Sequence, residues 1–337
     1  MTLAARAGSL LASHWWRPQP SALANMLRPL SWLYRALALW HKRRAVPQQL
    51  SVPVLVVGNC VAGGAGKTPT VIALVQALLA AGRKPGVISR GYGRQGDSVR
   101  AVQAGDAAAA VGDEPLLIRR RTGVPVWVGR DRVAAGRALI ARNADVDVIV
   151  CDDGLQHHRL AWNAAVMVFD ERGSGNGLLL PAGPLREALP THLAPGMYVL
   201  YTSGAPSTVL PGAVAQRRFG RVRALAGGAE VDISQLRGRP LLAVAGLAAP
   251  EKFFAMLVAT GLSFKRLPLP DHHAYDTLPW PAETSDVITT EKDAVKLAPQ
   301  RVGATRIWVV PLDLQLPAAL VVDLIRALAP LPAASTP

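Results

Sequence analysis

The sequence predicts an α/β fold in which a mainly parallel sheet is covered by helices. Three observations predict it. Short apolar runs of strand length recur along the chain, as in "VPVLVVGN", "VDVIVCDD" and "AAVMVFD". Helical spacing fills several of the intervals between them, the alternation that parallel crossover connections require. A glycine-rich turn then joins the first of these strands to a helix over 68–81, so that backbone N–H groups can face an anion.

Residues 1–45 form a basic segment of their own. Within "SALANMLRPLSWLYRALALWHKRR", helical spacing sets Leu23, Met26, Leu27, Leu30, Leu33, Tyr34 and Leu37 on one side and Arg28, Arg35 and Lys42 on the other. Trp15, Trp16, Trp32 and Trp40 are half of the eight tryptophans, and such rings suit the headgroup level of a bilayer. The segment predicts a helix lying in a membrane interface, with Pro29 bending it or delaying its start to about residue 28. An amphipathic helix packed on the core is the alternative.

Residues 46–225 predict the main domain. After "VPVLVVGN" come strands at "KPGVISRG", "VPVWVG", "VDVIVCDD", "AAVMVFD" and "GMYVLYT", with a helix at 132–142. The region near 203–235, rich in Gly, Pro and Arg, reads as a linker, and the alanine runs at 107–110 and 213–229 read as loop. Residues 226–337 predict a second, smaller α/β domain with strand–helix units at 240–261 and 285–297 and a last strand at "TRIWVVPL".

Half of the 337 residues are apolar and the net charge is +14. Residues 1–96 hold twelve Lys or Arg and no Asp or Glu. The excess therefore sits with the tryptophans, where it suits an anionic surface or substrate; no nucleic-acid recognition motif accompanies it, and no obligate protein partner is inferred. No uninterrupted run of eighteen apolar residues predicts a spanning helix. Cys60 and Cys151 are the only cysteines, too few for a disulfide framework and consistent with a reducing compartment.

The turn "GNCVAGGAGKTP" resembles a phosphate loop of the G-x-x-x-x-G-K-[ST] type, except that Val61 stands where the first glycine belongs. Gly63, Gly64, Ala65 and Gly66 permit close backbone approach, Lys67 can reach β/γ-phosphates, and Thr68, followed by Pro69, can bind Mg²⁺. Asp152 and Asp153, ending an apolar strand, match the carboxylates that hold Mg²⁺ beside such a loop. His157 and His158 lack zinc-like partners and suit phosphate donors or loop surface. Asp113 and Glu114 open a probable helix, while "SRGYGR" with Tyr92, "VGRDR" with Arg132, "GPLREAL" with Arg186 and Glu187, and "PDHH" with His272 and His273 are further candidates.

The ordered set "GNCVAGGAGKTP", "SRGYGR", "GDEP", "GRDR", "DDGLQHH", "GPLRE", "PDHH" and "TTEKDAVKL" resembles the tetraacyldisaccharide 4′-kinases of lipid A biosynthesis, from about residue 20 to 325. The resemblance implies a P-loop NTPase-like core with a smaller C-terminal domain, ATP bound between them. It implies ATP and Mg²⁺ as cofactors, and phosphorylation of the 4′-hydroxyl of a tetraacylated glucosamine disaccharide 1-phosphate at the cytosolic face of the bacterial inner membrane. It carries the general base to Asp113, with His272 assisting and His273 less secure. Asp152, Asp153 and His157 would serve Mg²⁺ and phosphate, and Tyr92, Arg132, Arg186 and Glu187 the bound substrates. A membrane ATPase switch of the partition type is the alternative, but Ala62 replaces the lysine that such proteins carry before the paired glycines.

Overall fold

The structure is a computed structural model that describes residues 13–329. Its first half runs α1 (Ala22–Arg44), β1 (Val54–Gly58), α2 (Lys67–Ala80), β2 (Pro85–Ser89), β3 (Arg100–Ala101), α3 (Ala108–Val111), α4 (Asp113–Thr122), β4 (Val126–Val128), α5 (Arg132–Arg142), β5 (Val148–Asp152) and β6 (Ala164–Phe169). Then follow β7 (Met197–Tyr201), β8 (Ala213–Val214), β9 (Gln216–Phe219), β10 (Arg223–Ala224), β11 (Leu241–Ala245), α6 (Pro250–Ala259), β12 (Phe264–Pro268), β13 (Asp286–Thr290), α7 (Glu291–Ala294), β14 (Arg306–Val310), β15 (Leu312–Gln315) and α8 (Ala318–Ala327).

The strands at the centre of the first sheet are apolar on both faces because helices cover both. Its order is β3-β4-β2-β5-β1-β6-β7-β8, parallel except for the antiparallel edge strand β3. Strand β1 lies between β5 and β6, and Val57 pairs with Asp152. The glycine turn after β1 and the acids at the end of β5 thus leave the same edge side by side. Helix α2 buries Val71, Ile72, Leu74, Val75 and Leu78, each worth about 1.5–3 kcal/mol when fully removed from water.

The second sheet, β10-β14-β13-β11-β12, packs its core against Phe253, Phe254 and Leu257 of α6. Between the sheets, β9 and β15 form an antiparallel ribbon. The region expected to be a linker therefore contains three short strands, and the alanine run at 107–110 leads into the turn of helix α3. Two elements lie past the last expected strand, β15 and α8. Leu314, Leu320, Leu324 and Leu328 return to the first core, beside Leu74 and Leu78.

Helix α1 begins at Ala22 and is continuous through Pro29, against the alternative of a start near residue 28. Ser21 caps it by accepting the Ala24 N–H, and four basic residues in its last turn complement the helix dipole. The missing proline N–H removes one bond, which the remaining turns tolerate. Its protein-facing side is narrow: Ala24 and Ser31 are buried, and Tyr34 is half-buried. Leu23, Met26, Leu30, Leu33, Leu37 and Trp40 are exposed. No described helix is long and apolar enough to cross a membrane.

Candidate active site

Gly63 and Gly66 have φ of 97° and 86°, a left-handed region that a side chain would strain. Val61 needs no such freedom. It is buried in an apolar cluster with Leu185 and Leu210, and it bridges Leu185 in antiparallel fashion. Ala62 N–H donates to Pro184 O at 2.7 Å, and Arg186 N–H donates to Cys60 O at 2.7 Å. The first half of the loop is thus strapped to segment 184–186. Lys67 Nζ lies 3.3 Å from Asn59 Oδ1 and 3.7 Å from Asp153 Oδ1.

The paired aspartates have different surroundings. Asp152 is buried, and its Oδ2 accepts from Ser89 Oγ at 2.9 Å while Oδ1 has no partner. Burial, reinforced by Glu114 and Asp153, pushes its pKa up to about 7. An orphaned, buried carboxylate oxygen beside a phosphate loop fits a hard divalent cation. Magnesium commonly takes one or two carboxylates together with substrate phosphates. Asp153 is already paired, with Oδ1 and Oδ2 at 3.2 and 3.3 Å from Arg186 Nη1. Burial opposes its charge, but Lys67 and Arg186 hold it below the usual carboxylate range.

Asp113 opens α4, where the helix dipole favours its charge. The preceding Gly112 has a φ of 94°, and a Cβ there would meet Gly91 Cα at 3.1 Å. This contact seats the Tyr92 turn against α4. From the second body, the loop after β12 brings His272 Nδ1 to 2.9 Å from Asp113 Oδ2, with Tyr92 5.4 Å from the His272 ring centre. Burial raises Asp113, but the His272 bond and the charges of Lys292, His272 and Lys296 bring it below its ordinary value. His273 turns away and stands edge-on to Tyr275. Glu114 stands with Asp113 among the sequence candidates, and Lys292 and Lys296 lie in "TTEKDAVKL", expected at an edge of the adenine pocket; here Lys292 pairs with Glu114 and Lys296 lies 3.8 Å from Asp113.

The Asp113–His272 pair lines a cavity of about 710 Å³ together with Tyr92 and Lys296, and two further cavities meet at Lys67 and Asp153. One, of about 220 Å³, is walled by Gly64–Pro69, Glu114, Lys252, Asp271 and Lys292, with an apolar end at Leu117, Phe253, Met256 and Leu312. The other, of about 590 Å³, is lined by Tyr34, Arg90, Arg130, Arg132, Asp153, His157 and Arg186. His157 therefore lies with the arginines and does not line the loop cavity, contrary to its expected place at the nucleotide. Burial, with Arg132 beside it, lowers its pKa to about 4. Glu187 borders this region by accepting from Gln156 Nε2 at 2.7 Å; Gln156 was not singled out in the sequence.

A phosphate loop, a Walker-type aspartate and a histidine–aspartate pair supplied from two bodies define the class as P-loop kinase. The family model for tetraacyldisaccharide-1-P 4′-kinase matches residues 23–329. The tetraacyldisaccharide 4′-kinase of Leptothrix cholodnii is 52% identical over 91% of this chain and 92% of its own. That of Methylibium petroleiphilum is 51% identical over 96% and 94%. Among solved structures, LpxK from Aquifex aeolicus in complex with ATP superposes with a TM-score of 0.75 at 26% identity, covering 91% of this chain and 99% of that one. The chain belongs to the tetraacyldisaccharide 4′-kinase family.

Proposed function

We propose that this protein transfers the γ-phosphoryl group of ATP to the 4′-hydroxyl of a tetraacylated glucosamine disaccharide 1-phosphate, forming the 1,4′-bisphosphate. One observation carries the proposal beyond family membership. The loop cavity and the arginine-lined pocket meet at Lys67 and Asp153, and the second pocket is bordered by Tyr34 of the helix with the exposed apolar stripe. A nucleotide and an anionic lipid can therefore approach one centre through two adjoining cavities.

In this reading the turn 63–69 wraps the phosphates and the apolar end of its cavity takes the purine. Lys67 neutralises β/γ charge, and Asp113, oriented by His272, accepts the proton of the attacking hydroxyl. Thr68, Asp152 and Asp153 would hold magnesium, which when bound neutralises phosphate charge. Tyr92, Arg132, Arg186, Glu187 and His157 then face the acceptor, and His273 shapes its own loop. Helix α1 lies in the cytoplasmic leaflet of the inner membrane, with Leu23, Met26, Leu30, Leu33 and Leu37 toward the acyl region. Its cations would add about 1 kcal/mol each near an anionic surface.

The test is transfer of labelled γ-phosphate from ATP with Mg²⁺ to the detergent-dispersed disaccharide 1-phosphate. Label in the lipid, lost in Asp113→Ala, supports the proposal. Phosphate released only to water, and stimulated by plain anionic vesicles, would make the protein a membrane ATPase switch instead.

A further inference from the structure

Lys292 has no part in the mechanism above, yet its ammonium stands at the junction of the two bodies. It lies 3.1 Å from Glu114 Oε1, 3.3 Å from Asp271 Oδ1 and 3.3 Å from His272 Nε2. An ammonium can only donate, so contact with Nε2 requires that nitrogen to be without a proton. The nearest carboxylate oxygen that could receive a proton from Nε2, Asp271 Oδ2, is 3.8 Å away and beyond hydrogen-bonding distance. The remaining ring proton must then sit on Nδ1, aimed at Asp113 Oδ2 at 2.9 Å.

The backbone is arranged to keep the ring there. His272 has φ +57°, a left-handed conformation that is strained for a residue with a Cβ. Its N–H donates to Asp271 Oδ1 at 3.1 Å, the same oxygen that Lys292 approaches. Lys292 thus braces both the loop and the ring.

We propose that Lys292 is a positioning residue that fixes His272 as the neutral Nδ1–H tautomer, leaving Asp113 an anionic base. The role rests on the kinase reading. Protonating Nε2 as well would set two cations 3.3 Å apart and tie Asp113 into an ion pair, weakening it as a base. Every ionisable group facing the ring fits this arrangement. Asp113 and Glu114 come from α4, Tyr92 from the turn after β2 and Asp271 from the ring's own loop. Lys292 comes from α7, and Lys296 lies 3.8 Å from Asp113. Burial opposes the Lys292 charge, but Glu114, Asp271 and Asp113 outweigh it and hold the lysine above its ordinary value. The Asp113 bond holds His272 above its ordinary value, although burial and Lys292 oppose it.

Nitrogen NMR of the full-length protein with ¹⁵N-labelled histidine tests this directly, with His272 assigned by its absence in His272→Gln. At about pH 8, above the ordinary histidine pKa of about 6.5, wild type should show an unprotonated Nε2 and a protonated Nδ1. Lys292→Met should lose that tautomer and move the acid limb of kcat upward by about one pH unit or more; Lys292→Arg should restore both. A wild-type spectrum with the proton on Nε2 overturns the proposal. So does Lys292→Met with unchanged tautomer and acid limb but weakened ATP binding, which would place Lys292 on phosphate. If wild type shows the tautomer but transfers no phosphate to lipid, the kinase reading fails and the lysine's effect on the ring stands.

Discussion

Lys67 serves two groups with one ammonium, held 3.3 Å from Asn59 and 3.7 Å from Asp153. Lys67→Ala removes the loop's charge at the transferring phosphate, and kcat should fall by about 10²–10³-fold; initial rates with both substrates saturating measure it. Asp113→Ala should lower kcat by about 10²–10⁴-fold while the dissociation constant for ATP stays near wild type, whereas an effect confined to ATP binding would remove Asp113 from the base role. Loop residues with fixed spacing were legible at this scale, because backbone anion binding demands glycines and a lysine at set positions. The choice between His272 and His273 was not. It depends on a left-handed backbone at His272, which sends adjacent rings to Asp113 and Tyr275.

Helix α1 touches the site through polar contacts on its narrow inner face. Ser31 Oγ donates to Leu179 O at 2.9 Å and accepts from Ala182 N–H at 3.2 Å. Tyr34 Oη donates to Arg186 O at 2.9 Å, and Arg186 in turn holds Asp153. Ser31→Ala with Tyr34→Phe should therefore raise KM for the lipid by about 2–10-fold per bond lost, the range of a single net hydrogen bond, with KM for ATP unchanged. Separate titrations of the two substrates distinguish the outcomes. The sequence revealed the apolar stripe of this helix but grouped Tyr34 with it, because spacing cannot tell a tethering hydroxyl from a buried ring. Strand β12, "FKRLP", escaped notice for a related reason: Lys265 and Arg266 are exposed, so an edge strand shows little apolar alternation.

The two bodies are held together by charge as well as by apolar contact. Asp170, after β6, is buried and meets Arg172 at 2.7 Å and Lys252 of α6 at 2.7 Å. Burial opposes its charge, but the two cations lower its pKa below the ordinary value. Its contribution is thus present above the unfolded pKa of about 3.9 and is lost as pH falls through the lower folded value. Asp170→Asn should cost about 3–5 kcal/mol near neutrality, the penalty for unpairing buried charge, and the gap in Tm should begin to narrow as pH falls below about 4 and close only below the lower folded value. Deleting residues 1–44 should shift the protein toward the soluble fraction on flotation with anionic vesicles; full retention would locate the membrane contact elsewhere. The alternating strands made the large sheet legible, but not the return of the chain's end to its first core, because an apolar helix does not declare which sheet it will cover. That return sets an order on biosynthesis. Leu320, Leu324 and Leu328 complete the core around α2, yet they follow α1 by most of the described chain and leave the ribosome well after it. A nascent chain therefore exposes the apolar stripe of α1 long before the core around α2 can close, so under the proposed function recruitment to the bilayer can precede acquisition of activity.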